Sequence, residues 1–139
     1  MPRLQAALLC DSAQEYAGKM SVLGGFISIL NVFSLPAFQP VMFVGRVSVE
    51  DDELDQTHEF EVNVVTPSGE TSFAMKGTAA PSPDIVNENP ELYVGLNVVL
   101  QLPLGVTTEG MHWVNFKTDD ILMSSLPLFE VPQRKWTPN

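Results

Sequence analysis

A chain of 139 residues is the size of a single domain, long enough to bury roughly two-thirds of its unfolded surface without disulfide or metal. Seventeen acidic against seven basic residues leave a net charge of -10. That charge sets the chain against nucleic acid and anionic membrane and leaves proteins, cationic groups or divalent ions as the partners to expect.

With 45% hydrophobic and 17% charged residues the composition is globular. No window approaches the roughly 20 apolar residues of a membrane span. The lone cysteine, Cys10, has no intramolecular disulfide partner and reads as a small buried residue. Leu4 to Cys10 is too short an apolar run for a targeting signal and is interrupted by Gln5, so the expected location is cytoplasmic.

In chain order, Leu4 to Asp11 and Lys19 to Asn31 bracket Ser12 to Gly18 as a hairpin with a long loop. The alanine-rich start raises the option of a short helix over Ser12 to Tyr16. Gly18, Gly24, Gly25 and the β-branched Val22, Ile27 and Ile29 oppose a longer one. Ser34 to Pro40, with two prolines, reads as a surface loop, and Val41 to Glu50 as a strand stopped by the acidic run from Glu50 to Asp55.

Phe60, Val62 and Val64 alternate with Glu59, Glu61 and Asn63, the signature of a strand with one buried face. Thr66-Pro67-Ser68-Gly69 is a turn, and Thr71 to Met75 returns as the second arm of a hairpin. Ala79 to Pro90 reads as a loop. Leu92 to Leu102 alternates over eleven residues, with Pro103 expected to end it. Gly110 to Lys117, a tight turn at Thr118-Asp119-Asp120 and Ile121 to Val131 form a terminal hairpin. The pattern predicts an all-β, antiparallel β-sandwich of seven to eight strands over residues 1–131, with a C-terminal tail at 132–139.

Ala7-Leu8-Leu9-Cys10-Asp11 followed by Gly18-Lys19-Met20-Ser21-Val22-Leu23-Gly24 resembles the opening of a widespread family of small uncharacterised bacterial proteins. There a leucine-cysteine-aspartate strand precedes a glycine-lysine-x-serine-x-x-glycine strand. The resemblance covers about the first 25 residues and implies a compact β-sandwich with no activity attached. The terminal hairpin is similar to that of immunoglobulin-like sandwiches.

Catalytic chemistry finds little to work with. His58 and His112 are the only imidazoles, no glycine-x-serine-x-glycine elbow occurs, and three widely spaced Cys and His residues cannot make a structural zinc site. No phosphate-cradling glycine loop is present, and no cofactor is expected.

Simple up-and-down alternation would gather the acidic connections, including Asp11, Glu15, Glu50 to Asp55, Asp119 and Asp120, at one end. Asp51, Asp52, Asp55, Asp119 and Asp120 are then the candidate ligands of a divalent cation. At the opposite end Phe33, Leu35, Phe38, Leu104 and Val106 form a candidate apolar patch, while Tyr93, Val99 and Trp113 fall on faces that should be wet. The resulting expectation is a non-enzymatic interaction or structural module that self-associates or binds a protein partner, the interaction residues being Phe33, Leu35, Phe38, Tyr93 and Trp113. Small-ligand or cation binding through acidic loops is the alternative.

Overall fold

The computed structural model describes residues 2–16, 19–32, 34–49, 56–80 and 94–132. Among these the chain is all β, with no helix and two mostly antiparallel sheets. Nine strands follow in order: β1 (Arg3–Tyr16), β2 (Lys19–Gly25), β3 (Ile29–Val32), β4 (Ala37–Val49), β5 (His58–Val65), β6 (Thr71–Ala79), β7 (Val94–Val106), β8 (Gly110–Thr118) and β9 (Ile121–Pro132). The first sheet has the order β2-β1-β4-β7 and the second β3-β9-β8-β5-β6. All pairings are antiparallel except β3 with β9.

The strands form where apolar residues recur at every second position, so that one face of each sheet can be buried. Val41, Phe43, Val47 and Val49 of β4 and Leu96, Val98, Leu102, Leu104 and Val106 of β7 meet Val62, Val64, Val114, Phe116 and Leu128 in one core drawn from both sheets. Phe43 and Phe116 join the two sheets, their ring centroids 5.1 Å apart and tilted by 51°. Such a pair contributes about 1 kcal/mol beyond the area it buries. Gly45 packs closely beside it: a Cβ there would stand 3.0 Å from the Phe43 ring and 3.2 Å from that of Phe116, so a side chain would have to push the rings by a few tenths of an ångström.

Several sequence expectations change. No helix forms over Ser12 to Tyr16: β1 continues to Tyr16, which pairs with Lys19, so the strand pairing takes up most of the expected loop. Cross-strand pairing outweighs the modest helical preference of that segment. Ala37 to Pro40 belong to β4, and β7 continues through Pro103 to Val106. Pro40 and Pro103 face each other across the ladder. In an antiparallel pair alternate positions exchange no hydrogen bond, and two prolines fit such a position because neither amide is asked to donate across it.

Lys19 to Asn31 is two strands, with Phe26 to Ser28 carrying the chain from the first sheet to the second. The bend uses left-handed backbone at Gly24 and Phe26, both with φ of 62°. This extra reversal corrects the expected gathering of acidic loops. Val47, Leu96 and Val98 of the first sheet surround the same small space as His58, Ala79 and Thr118 of the second. That end therefore holds the strand ends on either side of residues 50–57 and 80–93 together with the turn at Asp119. The paired Tyr16 and Lys19, and with them Asp11 and Glu15, lie at the other end, beside the ends of β5 and β7 and the start of β8.

Candidate functional site

The outer face of the five-stranded sheet is built from the residues that alternate with the core set. It divides into three bands. In the first, Ile29, Phe129 and Met111 share one register row across β3, β9 and β8. Pro127, Trp113 and Val65 share the adjacent row across β9, β8 and β5. Ile29 is 58% exposed and Phe129, Trp113 and Met111 about 40% each, so this is apolar surface presented to solvent on three neighbouring strands, with the half-buried Val65 of β5 beside it. Phe26, 81% exposed, lies three residues before Ile29, within about 10 Å along the chain.

The second band is a polar ladder. The Ser125 hydroxyl donates to Asn115 Oδ1 at 2.6 Å, Asn115 Nδ2 donates to Asn63 Oδ1 at 3.1 Å, and Asn63 Nδ2 reaches Glu61 Oε1 at 3.4 Å. The third band is charged. Lys76, Glu61 and Lys117 stand in one row, and with Glu59, Thr78 and Asp120 they rim an open depression of about 220 Å³.

The outer face of the four-stranded sheet has its own ladder. Arg46 Nε donates to Gln5 Oε1 at 2.7 Å, and an Arg46 Nη donates to Asn97 Oδ1 at 2.6 Å. Its guanidinium fills the space a side chain at Gly95 would need. Cys10 and Val44 are buried outside the main core cluster. Burial and the neighbouring Asp11 charge push the Cys10 thiol up.

The two histidines do not converge. His58 is buried and its Nδ1–H donates to Asp119 Oδ2 at 2.7 Å, while Asp119 Oδ1 accepts the Glu59 amide at 2.9 Å. Burial raises the Asp119 carboxyl, but the His58 and Glu59 hydrogen bonds and the His58 charge outweigh it and hold the group below its ordinary value. His112 is buried at the opposite end of the sheet, where its Nδ1–H donates to the Gly110 carbonyl at 3.1 Å. Among the described residues no three His, Cys, Asp or Glu side chains are grouped to hold a metal ion.

Of the expected cation ligands, both Asp119 oxygens are occupied within the protein, Asp120 is exposed beside it, and Asp51, Asp52 and Asp55 lie outside the described residues. Of the expected interaction residues, Trp113 is in the apolar band and Phe38 is 67% exposed on β4. Leu35 packs half-buried against the core, and Phe33 and Tyr93 lie outside the described residues. Leu104 and Val106 are buried in the core and are no surface patch.

One group escaped the sequence reading. Glu130 is fully buried on the core face of β9, opposite Gly110 of β8 and Leu30 of β3, and among the described residues neither carboxylate oxygen has a hydrogen-bond partner. Burial pushes it up to about 7. Its position was legible: Glu130 follows Leu126 and Leu128 on the apolar parity of the strand.

These features define a small all-β protein with two sheets around one core and a banded outer face. The chain belongs to the family of unknown function DUF6941, whose profile matches residues 5–129. No curated protein matches the sequence. The fold is similar to part of the alkylpurine DNA glycosylase AlkC of Pseudomonas fluorescens, in a structure bound to DNA containing an abasic-site analogue. The TM-score is 0.55 at 6% identity, over 93% of this chain and 30% of that one, so the likeness is one of fold and this chain spans under a third of the enzyme's length. Among the described residues no helix is long and apolar enough to cross a membrane.

Proposed function

We propose that this chain is a non-enzymatic interaction module, an immunoglobulin-like β-sandwich that self-associates through the apolar band of its five-stranded sheet. The observation that carries the reading is the pair of adjacent rows Ile29-Phe129-Met111 and Pro127-Trp113-Val65, contiguous apolar surface without a charged side chain in either row. Apolar surface concentrated in this way marks docking sites.

A second copy of the chain is the occupant proposed, and the neutral band is what lets it approach. Two molecules of net charge -10 repel, so contact between them needs a neutral surface that keeps their charged parts apart. A twofold axis through the apolar band does this: it faces that band with its own copy and leaves the band of Lys76, Glu61 and Lys117 on opposite flanks. The same net charge disfavours DNA, so the nucleic acid bound by AlkC is not carried over. A single buried thiol fits a reducing, cytoplasmic setting.

Sedimentation equilibrium tests the reading. The wild type should form a dimer, and Trp113→Ser with Phe129→Ser should weaken it at least tenfold without altering the melting temperature of the monomer by more than a few degrees. A wild type that stays monomeric at millimolar concentration contradicts it.

A further inference from the structure

A glutamate enclosed in a core with no partner for either oxygen needs an explanation, since a buried uncompensated charge costs several kcal/mol. Glu130 sits in the register row Leu30-Glu130-Gly110, beside the row Ile29-Phe129-Met111 that presents the apolar band on the opposite face. It is thus at the seam where the four-residue β3 joins β9 in parallel, the shortest strand of the sheet and an edge strand.

We propose that Glu130 is a proton-controlled latch on the β3–β9 seam: protonated, it lets β3 close and complete the docking face, and ionised, it loosens that seam and weakens self-association. The effect on association rests on the docking face proposed above; the effect on the seam does not.

The surroundings give an ionised Glu130 nothing to pair with among the described residues. β3 contributes Ile29, Leu30, Asn31 and Val32, none of them ionisable. From β8 the titratable group on the core face is His112, opposite Leu128; its Nδ1–H donates to the Gly110 carbonyl, and it makes no hydrogen bond to either Glu130 oxygen. The core-facing residues of β1 are Ala7 and Leu9; Asp11 lies over Gly24, the Cys10 thiol is pushed up by burial, and Arg3 is at the far end opposite Ser48. Val41, Leu104 and Val106 are what the other sheet brings to this end of the core.

The direction follows from linkage. A carboxyl raised from 4.5 to about 7 by burial stabilises the closed seam fully below its ordinary value, and that contribution is lost as pH climbs towards 7. Between about pH 5 and pH 7.5 the opening equilibrium should rise roughly 10- to 100-fold.

The Phe129 amide, which donates to the Ser28 carbonyl at 2.8 Å, reports on the seam by hydrogen exchange. Corrected for intrinsic rates, its protection in the wild type should fall 10- to 100-fold over that range, and in Glu130→Gln and Glu130→Met it should not. Equal losses in wild type and variants, or no loss in the wild type, would overturn the latch. The Glu130 carboxyl resonance gives a reading that needs no variant: a midpoint near 7 is expected, and one in the ordinary range of about 4–5 contradicts the proposal. In the same samples the wild-type dimer should weaken with rising pH while the variants' dimers hold. A wild type that is monomeric at every pH rejects the docking face, and the Phe129 result still decides the latch.

Discussion

Asp119 shows how one side chain ties distant elements together. It closes the β8–β9 turn, accepts from the buried His58 of β5, and accepts the Glu59 amide, while its own amide donates back to the Glu59 carbonyl at 2.8 Å. Because its carboxyl is held below the ordinary value, its stabilisation is present above the ordinary carboxylate range and is lost as pH falls through the depressed one. Asp119→Asn should cost about 1 kcal/mol near neutrality, a figure kept small because the group is 37% exposed, and the cost should shrink as the pH falls; urea titrations at pH 7 and pH 3 measure it. Asp119 and Asp120 both have left-handed backbone, with φ of 51° and 64°, as a two-residue hairpin turn demands. Asp120→Gly should therefore raise stability by about 0.5–1 kcal/mol, seen as a higher melting temperature, and a lower one would contradict the turn assignment. The turn was legible in Thr118-Asp119-Asp120 because its chemistry is local. The His58 contact was not, because its partner is 61 residues away.

At the scale of elements, strands announced themselves wherever period-two burial was strong. Val62 and Val64, like Val114 and Phe116, are fully buried on the parity their sequence shows. The sequence misleads where the cause lies in a neighbouring strand: the helical tendency of Ser12 to Tyr16 is local and visible, whereas their pairing with Lys19 to Leu23 is not, and the position of Pro103 opposite Pro40 cannot be seen from one strand. The polar ladder is another such feature. Asn63 and Asn115 read as ordinary wet-face residues, yet Asn63 is buried and Asn115 links it to Ser125. Asn115→Ala should cost about 1–3 kcal/mol in chemical denaturation, since it removes two hydrogen bonds and leaves a buried amide unsatisfied; Ser125→Ala, at the exposed end, should cost less. Equal costs for the two would show that the ladder does not act through Asn63.

Across the whole molecule, the asymmetry of the fold differs from the one expected from the sequence. The expected acidic end loses Asp11 and Glu15 to the opposite end, because β2 and β3 insert a reversal that a strand count from sequence merges into one. The asymmetry that the fold presents runs instead along one sheet face, from an apolar band through a neutral ladder to a charged band. Trp113 is legible in the sequence because it interrupts a wet face, whereas Ile29, Met111 and Phe129 are not, since only the pairing of β9 with β3 and β8 brings them into a row. Self-association of like-charged copies through that row should tighten several-fold when salt rises from about 20 mM to about 0.3 M, because screening relieves their repulsion; weakening with salt would mean that ion pairs hold the contact. The most direct test compares side-chain oxidation at low and high protein concentration, read by mass spectrometry at two methionines of similar exposure, Met111 at 38% in the apolar band and Met75 at 41% on β6. Association through the apolar band predicts that Met111 becomes several-fold slower to oxidise at high concentration while Met75 is unchanged; equal rates for Met111 at both concentrations, or equal protection of the two residues, would contradict it.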